Sequence, residues 1–415
     1  MLSGCQSNKE EAYTLDSKQE QYEIEQEHHD EVIELTLWGA QEDAELLEHL
    51  IDDFKEEYSS QAQFEITVDY HSESKCKEDL FKDTENQVDV FTFADDQLRP
   101  IVAAGLLAPV SNPEEVRKSN IEAACEAASI NETLYAYPMT ADNGYFLYYN
   151  KNYFTDQDVE SLDTILQIAS QNNKKVSMDW TSGWYLYAFF GQTGLELGLN
   201  KDGISNYCNW NATDTAIKGI DVANSMLAIA KDNSFLNCTE GDFIKGIQEG
   251  SIIAGVSGIW NTTVVEEAWG SNYGATKLPT YSCANKQMQM ASFAGYKMVG
   301  VSDYSSQKEW AQKLAQWITN EANQIQRFKM RGQGPSNINA AATPEIAKSP
   351  AIDALLEQSE FASLQQVGGA FWEPTQIFGE AMTAGNPEGK DLQVLLDVMT
   401  EGITESYSNG GVGNA

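Results

Sequence analysis

Polar and apolar residues alternate along VIELTLW (32–38), a period of two that predicts a strand. From 42 to 58 the period lengthens: Leu46, Leu47, Leu50, Ile51 and Phe54 recur at helical spacing and give one apolar face. FEITVDY (64–70) and VDVFTF (88–93) return to strand patterning. TLYAYP (133–138) and GYFLYYNK (144–151) predict two more strands around a polar corner, MTADN. A helix over 161–171, a strand at KVSM and an aromatic segment, TSGWYLYAFFGQTG (181–194), follow. A long helix is expected from about Thr213 to Lys231, then strands at SIIAGVSGIW (251–260) and SFAGYKMVGVS (292–302). The last hundred residues read as helices, broken at 331–337, 371–376 and 384–389. Strand-helix-strand alternation predicts α/β layers with mostly parallel sheets.

The patterning fails over residues 6–31, which hold nine acids, two lysines and few apolar side chains. Such a segment cannot bury enough surface to fold and reads as a solvated tether. Just before it, Leu2-Ser3-Gly4-Cys5 fits the bacterial lipobox, in which the cysteine is lipidated and becomes the first mature residue. The charged and apolar regions of a signal peptide are missing. The reading is a chain cut at its lipobox, with Cys5 carrying the lipid on the outer face of a bacterial cytoplasmic membrane.

At 415 residues the chain can form two substantial domains. Twenty-six basic against 63 acidic side chains give a net charge of −37, which repels nucleic acid and anionic lipid. No apolar run reaches the ~18 residues of a spanning helix. Five cysteines follow Cys5, with no C-x-x-C pair, so buried free thiols are expected and a zinc site is not; spacing leaves a bridge between Cys208 and Cys238 open. The four histidines lie at 28, 29, 49 and 71, which leaves most of the chain without the usual general base or metal ligand. No phosphate loop or HExxH occurs, and Gly255-Val256-Ser257-Gly258-Ile259 lacks the last glycine of a nucleophile elbow. No catalytic residue, metal ligand or cofactor is nominated.

What remains is aromatic rings and carboxylates at the ends of expected strands. Asp95 and Asp96 end a strand, Asp142 sits in the polar corner, Trp184 and Tyr185 follow Gly183, Trp260 ends a strand, and Phe371-Trp372-Glu373-Pro374 opens a helix. Ligands of open α/β sheets bind beyond the carboxyl ends of strands. A sugar presents an apolar CH face that stacks on Trp or Tyr, and hydroxyls that carboxylates accept. Each residue also has a plain reading. Trp260 and Trp372 fit a core, Asp96 fits a helix cap, and Tyr187, Phe189 and Phe190 fit a core best.

Six segments, in order from residue 32 to the C-terminus, resemble the extracellular solute-binding proteins of ABC importers, in their maltose/maltodextrin-binding group. They are ELTLWGAQEDAELLEHLIDDFKEEY, VDVFTFADDQLRPIVAAGLLAPV, NETLYAYPMTADNGYFLYYNK, QEGSIIAGVSGIW, NYGATKLPT and AFWEPTQ. The resemblance implies a two-lobed, type II periplasmic-binding-protein-like fold with a cleft between lobes joined by hinge strands. It implies one lobe from 32–141 and 294–340 and another from 142–293 and 341–415. Carried over by position, Asp96 and Asp142 accept sugar hydroxyls, Trp184, Trp260 and Trp372 stack on successive rings, and Gln41, Glu42, Gln97 and Tyr185 line the cleft. The expected partners are an oligosaccharide, foremost an α-linked glucan, and a membrane permease, with the receptor itself a non-catalytic monomer. The chain departs from the pattern where Gln97 replaces a basic residue beside Asp96, where the first loop lacks lysine, and where Gln376 stands for an arginine. The alternatives are a receptor for another oligosaccharide (xylo-, fructo- or galacto-oligosaccharide), a sensor subunit that signals without transport, and a glycoside hydrolase using Asp96 and Asp142 as its carboxylate pair.

Overall fold

A computed structural model describes residues 32–83 and 87–405. Two five-stranded sheets organise them. In the first, the order is Gln63–Tyr70, Val32–Gly39, Val90–Ala94, Lys297–Val301, Ala136–Thr140. The first three strands are parallel; Lys297–Val301 runs antiparallel to both of its neighbours. In the second, the order is Phe235–Leu236, Lys175–Ser177, Ile252–Gly258, Tyr145–Asn150, Tyr273–Thr276. Here Tyr145–Asn150 is the antiparallel member. The sheets are therefore mixed, where the alternation of elements predicted mostly parallel ones. The reason is that each sheet takes a strand entering from the other lobe, which arrives without a crossover helix of its own and so need not run parallel.

Each sheet has its own core. Leu37, Phe54, Phe91, Phe93, Tyr137, Val299 and Leu314 belong to the first, packed under helices Ala44–Glu57 and Lys308–Ile318. Trp317 on the latter helix donates its indole N–H to the carbonyl of Leu50 on the former, at 2.8 Å. The second sheet is covered on both faces. Tyr145, Leu147 and Tyr149 enter one cluster with Trp180, Phe190 and Trp210, while Phe146 and Tyr148 enter another with Phe243 and Trp269. Alternate side chains of one strand thus fill two cores, which is why YFLYYN is apolar without a break.

The helix expected from Thr213 begins only at Gly219. Asp221 accepts from the backbone N–H of Lys218 at 2.9 Å and fixes the start, and Gly219 passes so close to the Trp210 carbonyl that no Cβ fits. Cys76, Cys125, Cys208, Cys238 and Cys283 are all free thiols, so Cys208 and Cys238 do not bridge.

Candidate functional site

Parallel strands send their following loops off one edge. Val32–Gly39, Gln63–Tyr70 and Val90–Ala94 therefore present Gln41–Asp43, residues 71–75 and Asp95–Gln97 together. Lys297 pairs with both Ala94 and Thr140, so the end of Ala136–Thr140 lies level with them. The chain then needs only residues 141–144 to reach Tyr145, which pairs with Gly258 at the end of its own strand. Two strand-end edges thus face each other across a short crossing. Gly295 and Asn143 meet there through the Asn143 N–H and the Gly295 carbonyl, at 3.2 Å, and Ala141 donates to the Gly334 carbonyl at 2.9 Å.

The second edge carries the tryptophans. Lys175–Ser177 and Ile252–Gly258 are parallel neighbours, so the turns leading to Trp184 and Trp260 leave from the same side. Gly183 lets helix Gly183–Phe190 approach Phe371 and Thr375, which draws Trp372 to this rim. Trp184, Phe293, Phe371 and Trp372 form a run of rings at centroid distances of 5.6, 5.9 and 5.0 Å. Trp184, Trp260 and Trp372 are each half-buried. The indole N–H of Trp184 is buried without a partner. The Trp260 ring folds back over Gly258, where any side chain would collide with it. Tyr185 packs 4.9 Å from Tyr145, and burial raises its phenol. Leu186 and Tyr187–Phe190 are buried; Tyr187 stacks on Phe293 at 4.1 Å.

On the first edge, Gln41 and Glu42 are exposed on a short 3-10 turn. Asp96 is half-buried and caps no helix; it shares a small interlobe space with Gln365 from the other lobe. Burial pushes its carboxyl up to about 6 against the pull of Lys77. Two expected cleft residues are spent elsewhere. Gln97 is buried, accepting from the Lys77 N–H at 2.7 Å and donating to the Glu73 carbonyl at 2.6 Å, so its amide ties two loops together and does not line the cleft. Asp142 is 3% exposed and accepts from the Gly334 N–H, so it braces the crossing segments where a ligand acceptor was expected. Burial pushes its carboxyl up to about 6.

Behind these loops lies an ion network that sequence reasoning missed. Lys297 pairs with Glu73 at 2.5 Å, and Asp43 pairs with Arg327 and, at 2.9 Å, with Arg331. Burial alone would lower Lys297, but Glu73, Asp142 and Asp43 outweigh it and hold the ammonium raised. Burial would likewise raise Asp43, but Arg327 beside it holds the carboxyl below its usual range. Arg327 is 1% exposed and keeps its Nε and Nη2 donors unpartnered. The available signal was a lone lysine inside the apolar run SFAGYKMVGVS.

The arrangement offers flat apolar rings on one edge and carboxylates on the other, with no metal-binding cluster among the described residues. Residues 49–354 match the family model of bacterial extracellular solute-binding proteins. A galactooligosaccharide-binding protein of Bacillus subtilis (strain 168) is 28% identical over 386 residues, 87% of this chain and 84% of that one. The maltodextrin-binding protein MdxE of the same organism is 24% identical over 312 residues, 68% of this chain and 70% of that one. A structure solved with acarbose superposes with a TM-score of 0.79 at 28% identity, covering 90% of this chain and 99% of the other. These relatives are binding proteins and not enzymes, which removes the hydrolase rival. With its two-lobed α/β fold, the chain belongs to the bacterial extracellular solute-binding proteins.

Proposed function

We propose that this protein is the receptor of an ABC importer for oligosaccharides, foremost α-linked glucans, held to the cell surface by a lipid on Cys5. The observation that carries the sugar reading is the placement of three half-buried tryptophans, Trp184, Trp260 and Trp372, at the strand ends of one lobe, and of Glu42 and Asp96 at the strand ends of the other. Each ring keeps one face for a sugar's CH surface, and the opposite edge supplies hydroxyl acceptors. Ligand touches both lobes only when they are closed, so binding shifts the population toward the closed form that a permease engages. The lobes are 32–141 with 294–340, and 142–293 with 341–415, and the receptor acts as a monomer.

The relative that binds galactooligosaccharide favours a second reading, a β-galactoside chain in the same cleft. Titration calorimetry with maltotriose and with a β-1,4-galactotriose separates the two. Saturable heat from maltotriose alone is expected. Heat from the galactoside alone transfers the assignment to the second reading, and heat from neither ends the sugar reading.

A further inference from the structure

We infer that the loop over residues 364–367, together with Leu199, forms an end wall of the cleft and makes the protein a reader of oligosaccharide chain ends. The inference rests on the sugar-binding reading above.

The loop is fixed at both ends. Its start continues the strand Ala362–Leu364, which pairs with Ser292–Ala294, and the Gln365 N–H donates to the Ala294 carbonyl at 3.0 Å. Its far end is held by Asn206, whose carboxamide accepts from the Gly368 N–H at 2.6 Å and donates to the Ile403 carbonyl at 3.0 Å. Asn206 pairs with Leu199 across a small hairpin, and Gly368 lies flat on the Ile204 carbonyl of that hairpin with no room for a Cβ. Loop and hairpin are therefore one unit.

From this unit Gln365 reaches the first lobe, where it lines the same narrow space as Asp96. Leu199 and Leu364 face the same lobe, opposite Arg99 and Glu126. The space between them is about 60 Å³. At ~10–15 Å³ of such space per water, that is room for about four to six waters, fewer than the heavy atoms of one hexose unit. A sugar chain lying along the tryptophan rim and reaching Asp96 meets Gln365 and cannot run on beyond it. The unit resumes through Gly369–Phe371 and delivers Trp372, so the wall and one stacking ring sit on the same stretch of backbone. Burial in this chamber also pushes the Asp95 carboxyl up to about 7, as expected where bulk water is shut out.

A wall admits a chain with a free end and rejects a ring of the same sugars, because a clash costs more than any stacking returns. The test titrates the full protein with maltotriose, maltoheptaose and cyclomaltoheptaose. The two linear sugars should bind alike, and the cyclic one about 100-fold or more weaker than maltoheptaose. The variant carrying Leu199→Ala, Leu364→Ala and Gln365→Ala should narrow that ratio about tenfold or more, with its melting temperature checking that it folds. Cyclomaltoheptaose binding the unmodified protein within tenfold of maltoheptaose overturns the wall, whatever the variant does. A folded variant that leaves the ratio unchanged overturns it too. Failure of all three sugars to bind the unmodified protein is a failure of the sugar reading, not of the wall.

Discussion

Gly258 gives the sharpest handle on the rim. Its backbone is at φ −90°, ψ 174°, an extended conformation that alanine adopts without strain. A methyl group there would nevertheless overlap the Trp260 ring, so Gly258→Ala acts through the ring alone. Trp260 is half-buried and can swing outward, which relieves the clash at the expense of the stacking surface. Base–aromatic stacking is worth about 1–3 kcal/mol, and that scale transferred to a sugar face gives a loss of about 5- to 150-fold in affinity. Trp260→Ala should weaken maltotriose binding by the same factor. The decisive species is the double variant: with no ring to displace, Gly258→Ala should add nothing to Trp260→Ala, a strongly non-additive cycle. Calorimetry gives the affinities, and melting temperature checks that each variant folds. Two additive losses, or wild-type affinity in Gly258→Ala, would refute the claim that this glycine exists to seat the tryptophan.

Asp43→Asn removes the carboxylate between Arg327 and Arg331 and leaves Arg327 buried and uncompensated. Breaking a buried pair costs about 3–5 kcal/mol, and at ~1 °C per kcal/mol for a chain of this length the melting temperature should fall about 3–5 °C; a drop under about 1 °C contradicts the network's role. Asp95, Asp96 and Asp142 are pushed up to about 7, 6 and 6, so between about pH 4 and 7 the folded state holds more protons than the unfolded one, and stability falls as pH rises through that window. Asp43 is shifted the other way, and its contribution is lost only as pH falls through its depressed value. Calorimetric melting should therefore peak in mildly acidic buffer and decline toward pH 8, and a steady rise from pH 5 to 8 would contradict it. Cys5 lies outside the described residues; in the native precursor Cys5→Ala should move the protein from membrane to soluble fraction, and unchanged partitioning would remove the anchor. Small-angle scattering should show a smaller radius of gyration at saturating sugar, an unchanged radius pointing to a rigid cleft.

The layers were legible because strand and helix periods write burial into residue order. YFLYYN reads as a strand buried on both faces, and the helix carrying Leu46, Leu50 and Phe54 reads from its spacing. Trp184, Trp260 and Trp372 could be nominated from residue type and position, but a core reading of Trp260 and Trp372 fitted the sequence equally well. The carboxylates could not be sorted the same way. Asp96 and Asp142 look alike in sequence, yet one faces Gln365 across the lobes and the other is bound to Gly334, a partner 192 residues away. Gln97 likewise needed knowledge of where Glu73 and Lys77 would lie. Arg327 and Asp43 are 284 residues apart, and no local period connects them. Where a helix starts is local but fine-grained, and Gly219 was set by its contact with the Trp210 carbonyl.

The place of Lys297–Val301 has a consequence for how this chain comes into being. It is hydrogen-bonded between Val90–Ala94 and Ala136–Thr140, near the middle of the first sheet, though nearly 160 residues of the other lobe separate it from the nearer of them. A chain emerging N-terminus first has a slot in that sheet until residue 301 is free, and lacks the helix Lys308–Ile318 that covers it until later still. Pairing over such sequence distances pays loop-closure entropy before it gains any contact, so it is slow. The first lobe therefore cannot finish while the second is still being delivered, and a protein bound for the outside of a cell remains threadable for most of its passage.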